Sequence, residues 1–190
     1  MSSFIAQVSN GADKRRAYDF YPTPREATVA IIPHIAHWPR TLWEPACGDG
    51  AMARVLQDHG FEVHASDLID RGFGVSEHNF LQDYWQGAPA AIITNPPFNL
   101  AAKFIERADE LGATHLALLL KASFWSAASR LQTWDRWPPY AAHPLTWRLD
   151  FTGAGSPHTD CTWFLWDRTS PPLARPLAKP APISAEEMLA

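Results

Sequence analysis

"RTLWEPACGDGAMARVLQDHG", residues 40–60, decides how this chain is read. "TLWE" is short, apolar and suited to a strand. Gly48 and Gly50 then allow a tight turn of small residues. "AMARVLQD" continues as a helix, and Gly60 stops it. A strand, a glycine turn and a helix in that order make the first half of a β-α-β unit.

The rest of the chain repeats this alternation. "FEVHASDLI" (61–69) reads as a second strand with Asp67 at its end, and "GVSEHNFLQDYW" (74–85) contains a weak third. "AAIIT" (90–94) is a wholly apolar fourth strand. "NLAAKFIERADELG" (99–112) is an amphipathic helix with Ala101, Phe104, Ile105 and Ala108 on one face, closed by Gly112. "THLALLLKASFW" (114–125) is a fifth, buried strand, and "SAASRLQTWDRW" (126–137) is helical. "LTWRLDF" (145–151) and "CTWFLWDR" (161–168) read as two strands joined by the turn region "TGAGSPHTD". The pattern predicts a doubly wound α/β sandwich of three layers, mostly parallel, with an antiparallel edge at the C-terminal β pair. Ahead of the first strand, "FYPTPREATVAIIPHIAHW" (20–38) predicts a helix. Thr23 is its cap, Pro24 its first residue and Glu26 the far side of a capping box, while Pro33 kinks or ends it.

The 190 residues suit one domain, expected over 1–168 with 1–20 irregular. A Pro-rich tail, 169–190, is expected to lie outside the core. No apolar run approaches the ~20 residues of a membrane span. Cys47 and Cys161 form neither a disulfide framework nor a metal pattern, which suits a reduced, cytoplasmic protein with no metal. The net charge of −4 argues against a broad basic face for duplex binding. Lys14-Arg15-Arg16 and the scattered Arg130, Arg136 and Arg148 are local candidates, more simply read as solvated charge.

Ligands of such sheets bind beyond the carboxyl ends of the strands, and three motifs fall there. The first is Glu44-Pro45-Ala46-Cys47-Gly48-Asp49-Gly50, the second Asp67, the third Asn95-Pro96-Pro97-Phe98. The glycine turn lacks the Lys-Ser/Thr of a P-loop. Glu44 and Asp49 oppose a phosphate and suit a cation. An acid such as Asp67, with Leu68 beside it, holds ribose hydroxyls. A nucleoside with positive charge follows, and S-adenosylmethionine fits, with Asn79-Phe80 at its adenine. At the proline corner, the Asn95 side-chain oxygen and the Pro96 carbonyl can converge on an amino group, while Phe98 offers its face to the ring carrying it. Trp137-Pro138-Pro139-Tyr140 and Ser170-Pro171-Pro172-Leu173 are more simply turns. His158 and Asp160 read as turn residues, Trp163 and Trp166 as packing, and Lys121 as crevice-facing or surface.

With these motifs the chain resembles class I S-adenosylmethionine-dependent methyltransferases of the amino-methylating type. Asn95-Pro96-Pro97-Phe98 matches their Asp/Asn/Ser-Pro-Pro-aromatic catalytic motif, residues 44–50 their cofactor loop, and Asp67 their ribose acid. Tyr21-Pro22-Thr23-Pro24 is similar to the segment packing over the methionine end of the cofactor. Together with "WRLDFTGAGSPHTDCTWFLW", it is similar to small phage and prophage DNA methyltransferases across residues 18–168. The resemblance implies methyl transfer to N6 of adenine in DNA. RNA bases and protein glutamine are the alternative acceptors, and a non-catalytic cofactor-binding module is a rival of another class. Only about 45 residues separate Gly50 from Asn95, so sequence recognition is expected to be poor or supplied by a protein partner.

Overall fold

The computed structural model describes residues 20–172; of the stretch expected to be irregular, 1–20, residues 1–19 with the Lys14-Arg15-Arg16 cluster, and of the expected tail, 169–190, residues 173–190, lie outside the described residues. Six strands form one sheet: β1 (Thr41–Glu44), β2 (Glu62–Ala65), β3 (Ala91–Thr94), β4 (His115–Lys121), β5 (Ala141–Pro144) and β6 (Cys161–Asp167). Their order is β2-β1-β3-β4-β6-β5. The first four run parallel, and β6 is antiparallel to both β4 and β5. Helices α1 (Arg25–Ile35), α2 (Ala51–Asp58), α3 (Ala101–Glu110) and α4 (Leu131–Arg136) cover it.

Alternate residues of a strand face opposite sides, and this sheet is apolar on both. Leu42, Ile93, Leu119, Trp163 and Leu165 pack with Ile31 and Ile35 of α1 and with Met52 and Leu56 of α2. Trp43, Ile92, Leu118, Phe164 and Trp166 pack with Phe104 and Ile105 of α3 and with Trp134 of α4. The two faces make the expected three-layer, doubly wound sandwich. Each fully buried large apolar side chain contributes about 1.5–3 kcal/mol by leaving water. Three buried indoles have their N–H bonded, Trp43 to Ser66 Oγ at 3.0 Å, Trp163 to the Ala27 carbonyl at 2.9 Å and Trp166 to the Trp137 carbonyl at 2.8 Å, while the equally buried Trp134 N–H has no partner among the described residues. Trp163 and Trp166 are therefore core residues.

Three expectations change. Residues 74–85 form no strand; Val75 makes a single bridge to Ser66. Gly72, Gly74 and Glu77 all take positive φ there, and the half-exposed Val75 has no layer to cover it. Residues 145–151 likewise contribute only one bridge, Leu149 to Thr159. Beyond it the Asp150 carboxylate gathers the N–H groups of Thr152, Gly153 and Gly155 and bends the chain away. The partner of β6 is instead "AAHP", which leaves the Trp137-Pro138-Pro139-Tyr140 turn and starts pairing at Tyr140 N to Leu165 O, 2.9 Å. Pro144 is tolerated because β5 is an edge strand. Finally, α1 begins at Arg25 with no side-chain cap and runs past Pro33 to Ile35.

Candidate active site

β1 neighbours β2 on one side and β3 on the other, so the crevice beyond β1 and β3 is a topological switch point. One cleft opens there. It is lined by Tyr21, Pro22 and Thr23, by residues 44–49, by Asp67 and Leu68, by Asn79 and Phe80, and by Asn95 to Phe98. Gly50 is the only site residue expected from sequence that does not line it. Its φ of +83° instead turns the chain into α2. A Cβ on Gly50 would lie 2.5 Å from the Phe73 ring, and one on Gly48 (φ +57°) 2.4 Å from the Phe20 ring. The glycine turn thus runs beneath two aromatic rings that leave no room for a side chain. Arg71 lies over Phe20, 4.1 Å from its ring centroid.

Acids crowd the floor. Glu44 is 2% exposed, and its Oε2 has no hydrogen-bond partner. Burial, reinforced by the negative charges of Asp67 and Asp49, pushes the Glu44 carboxyl well above the usual range. Burial and the neighbouring Glu44 and Asp67 likewise push the Cys47 thiol up to about 12. Cys47 is an inert small residue under the turn, its thiol near the carbonyls of Gly48 and Phe73. Asp67 accepts the Gly48 N–H at 2.8 Å on Oδ2 and the Ile69 N–H at 2.9 Å on Oδ1, tying the turn after β1 to the end of β2. Each oxygen keeps a further lone pair. Asn79 uses its side-chain oxygen within its own turn, on Leu81 N at 3.1 Å. Phe80 is buried against Trp43 and Phe104, and forms the wall of the cleft rather than a free face.

On the far side, the proline corner leads into a short 3-10 turn. The Pro97 carbonyl is taken by Leu100 N at 2.8 Å. Among the described residues, none donates to the Pro96 carbonyl or to Asn95 Oδ1. The Asn95 amide instead donates through Nδ2 to Thr23 Oγ1 at 3.1 Å. Thr23 therefore serves Asn95 and not the helix end. Phe98 packs edge-on to Phe151 (6.1 Å), which packs edge-on to Tyr21 (6.0 Å). Lys121 Nζ lies 5.3 Å from the Phe98 ring centroid. The sequence reading missed Phe20, Arg71, His78 and Phe151, which line the cleft without belonging to any local motif.

The other candidate cations are spoken for. Arg136 joins Arg168 on Asp109, Arg148 pairs with Asp160 at 3.1 Å, and Arg130 donates to the Phe124 carbonyl at 2.6 Å. His158 bonds within its own turn. No group of metal-ligating side chains occurs among the described residues. No helix among them is long and apolar enough to cross a membrane.

No family model and no curated protein matches the sequence. Solved structures do match the architecture. The 23S rRNA methyltransferase ErmE is similar at a TM-score of 0.59 and 16% identity, over 82% of this chain and 73% of that one. The candidate RNA methyltransferase PH1948 from Pyrococcus horikoshii is similar at 0.62 and 11%, over 86% of this chain and 94% of that one. Magnesium protoporphyrin IX methyltransferase from Synechocystis PCC 6803, solved with bound S-adenosylmethionine, is similar at 0.53 and 12%, over 75% of this chain and 79% of that one. The fold is the Rossmann-like methyltransferase fold.

Proposed function

We propose that this chain is an S-adenosylmethionine-dependent methyltransferase acting on an exocyclic amine, N6 of adenine in DNA. The observation that carries the amine reading is the pair of unengaged acceptors, Asn95 Oδ1 and the Pro96 carbonyl, on a stiff corner of the cleft. An NH₂ group offers two donors, which two such oxygens satisfy together.

The residues present fit the cofactor. A buried Glu44 oxygen without a partner, beside two further acids, is a site short of a cation, and S-adenosylmethionine carries an ammonium and a sulfonium. Tyr21, Pro22, Thr23, Gly48, Asp67, Leu68, Asn79 and Phe80 complete the proposed binding surface, with Asp67's remaining lone pairs available to ribose hydroxyls. When bound, the cofactor supplies an electrophilic methyl group.

The chain's own part is to hold and polarise the acceptor. Two hydrogen bonds from the amine to Asn95 and Pro96 favour a pyramidal nitrogen and stabilise the positive charge it gains. Holding that nitrogen in line removes much of the remaining barrier. An uncharged Asn suffices because the proton leaves after the bond to carbon has formed. Phe98, with Phe151 and Tyr21 behind it, offers an aromatic wall to an adenine that is unpaired or flipped out.

With only about 45 residues between Gly50 and Asn95, recognition rests on the rim of the cleft or on a partner protein. RNA in place of DNA is the second reading, favoured by the fold shared with ErmE and PH1948. The test is labelled S-adenosylmethionine offered with DNA, RNA and protein separately, with mass spectrometry of the modified product. N6-methyladenosine from RNA alone, or methylglutamine, would replace the DNA assignment. Cofactor binding with no product from any acceptor would leave only a binding module.

A further inference from the structure

The Asn95 side chain presents an ambiguity that the proposed chemistry cannot tolerate. Its amide has one face that accepts and one that donates. Turned by 180° about its last bond, it would aim an NH₂ at the substrate amine, and two donors would meet. The proline corner stiffens the backbone but leaves that torsion free, since terminal amide torsions are broad.

We infer that Thr23 is the positioning residue that fixes this choice, its Oγ1 accepting Asn95 Nδ2–H so that Oδ1 is left for the acceptor amine. The contact spans 72 positions of sequence at 3.1 Å. Thr23 is 8% exposed, so water competes little for the bond. The hydroxyl is not spent elsewhere: α1 starts with no side-chain cap, although Thr23-Pro24-Arg25-Glu26 has the form of a capping box. The reversed amide would place Oδ1 on Thr23 and Nδ2 in the cleft. A hydroxyl can donate as well as accept, so the choice is made by Thr23 together with the bound amine: with Nδ2 on Thr23 the amine meets two acceptors, Oδ1 and the Pro96 carbonyl, and with the amide reversed it meets one acceptor and one clashing donor.

This inference rests on the amine reading of the same corner, and its test separates the two. Thr23→Val keeps the shape and removes the hydroxyl; Thr23→Ala removes both hydroxyl and methyl; Thr23→Ser keeps the hydroxyl alone. With labelled S-adenosylmethionine and mixed-sequence DNA or RNA, whichever wild type methylates, Val and Ala should lower kcat about tenfold, the size of one lost hydrogen bond. The loss should fall more on kcat than on KM for the cofactor, and Ser should restore most of the rate. A Ser variant as slow as Val, or a Val variant as fast as wild type, overturns the inference.

Should no acceptor be methylated, the amine reading fails, and the lock is still decided in the cofactor-free protein. The Asn95 side-chain NH₂ signal, assigned by its loss in Asn95→Ala, should exchange with solvent more slowly in wild type and Thr23→Ser than in Thr23→Val and Thr23→Ala. Equal exchange in all four overturns it.

Discussion

Glu44→Gln should make the ligand-free protein more stable and the cofactor-binding protein worse. Glu44 is buried, one carboxylate oxygen has no donor, and Asp67 and Asp49 repel its charge. Its carboxyl is raised well above the usual range by that burial and those charges. A folded-state pKa above the unfolded one means the native state keeps a proton that the unfolded chain has released. Stability then falls as pH rises from the unfolded value, about 4.3, through the folded one. Each unit of that gap is worth about 1.4 kcal/mol. Gln keeps the shape and carries no charge, so the pH-dependent loss disappears.

The gain at pH 7 should appear as a higher Tm, each kcal/mol being worth about 2–4 °C in a chain of this size. Thermal melts of both proteins from pH 4 to pH 8 measure it. The two curves should meet near pH 4 and diverge with rising pH. Added S-adenosylmethionine should reverse the order, because only the ionised carboxylate gains from a cation. Binding should then release a proton, seen by calorimetry in buffers of different ionisation enthalpy. A Gln variant less stable than wild type by a pH-independent amount would refute the reasoning, since it would mean that the protein already satisfies both Glu44 oxygens and not only the one that the Ala53 N–H reaches.

Asn95→Ala should lower methyl transfer by at least about a hundredfold with cofactor affinity little changed, measured as single-turnover rate and equilibrium binding. Asp67→Ala should both weaken cofactor binding and lower the Tm, because the N–H groups of Gly48 and Ile69 lose their acceptor; Asp67→Asn, which keeps one acceptor, should recover part of the stability but not the affinity. Asp167 is buried, and against the opposing effect of burial the bonds from Thr169 and Ser170 hold its carboxyl below the usual range. Asp167→Asn should therefore cost about 1–2 kcal/mol at neutral pH. That cost should vanish as pH falls through the depressed pKa, which melts from pH 7 to pH 2 would show.

The parts of the site that were legible in sequence are those where one short stretch carries both the fold signal and the chemistry. Residues 40–60 make a strand, a turn and a helix, and the turn carries Glu44 and Gly48. "AAIIT" ends at Asn95, so finding the strand finds the corner. Phe151 was not legible as a cleft residue, because "LTWRLDF" alternates like a strand while its place depends on packing against Tyr21 and Phe98. β5 was passed over because "AAHP" is short and ends in proline, and only its register on β6 makes it a strand. Thr23 is the sharpest case. Its local pattern specifies a helix cap, and a partner 72 positions away takes the hydroxyl instead.

That partner gives the segment Phe20–Thr23 a place on both sides of the cleft. Phe20 lies against Gly48 so closely that a methyl there would collide with its ring. Tyr21 backs the aromatic wall through Phe151. Thr23 holds the amide of Asn95. The acids that suit a cation hang from β1 and β2 and the oxygens that suit an amine from β3, strands that the sheet holds at a fixed spacing. Phe20–Thr23 lies across both groups, against Gly48 on one side and bonded to Asn95 on the other. A sheet can fix where two strands end, but which atom of an Asn faces the cleft has to be decided by a neighbour, and here that neighbour comes from the first turn before α1.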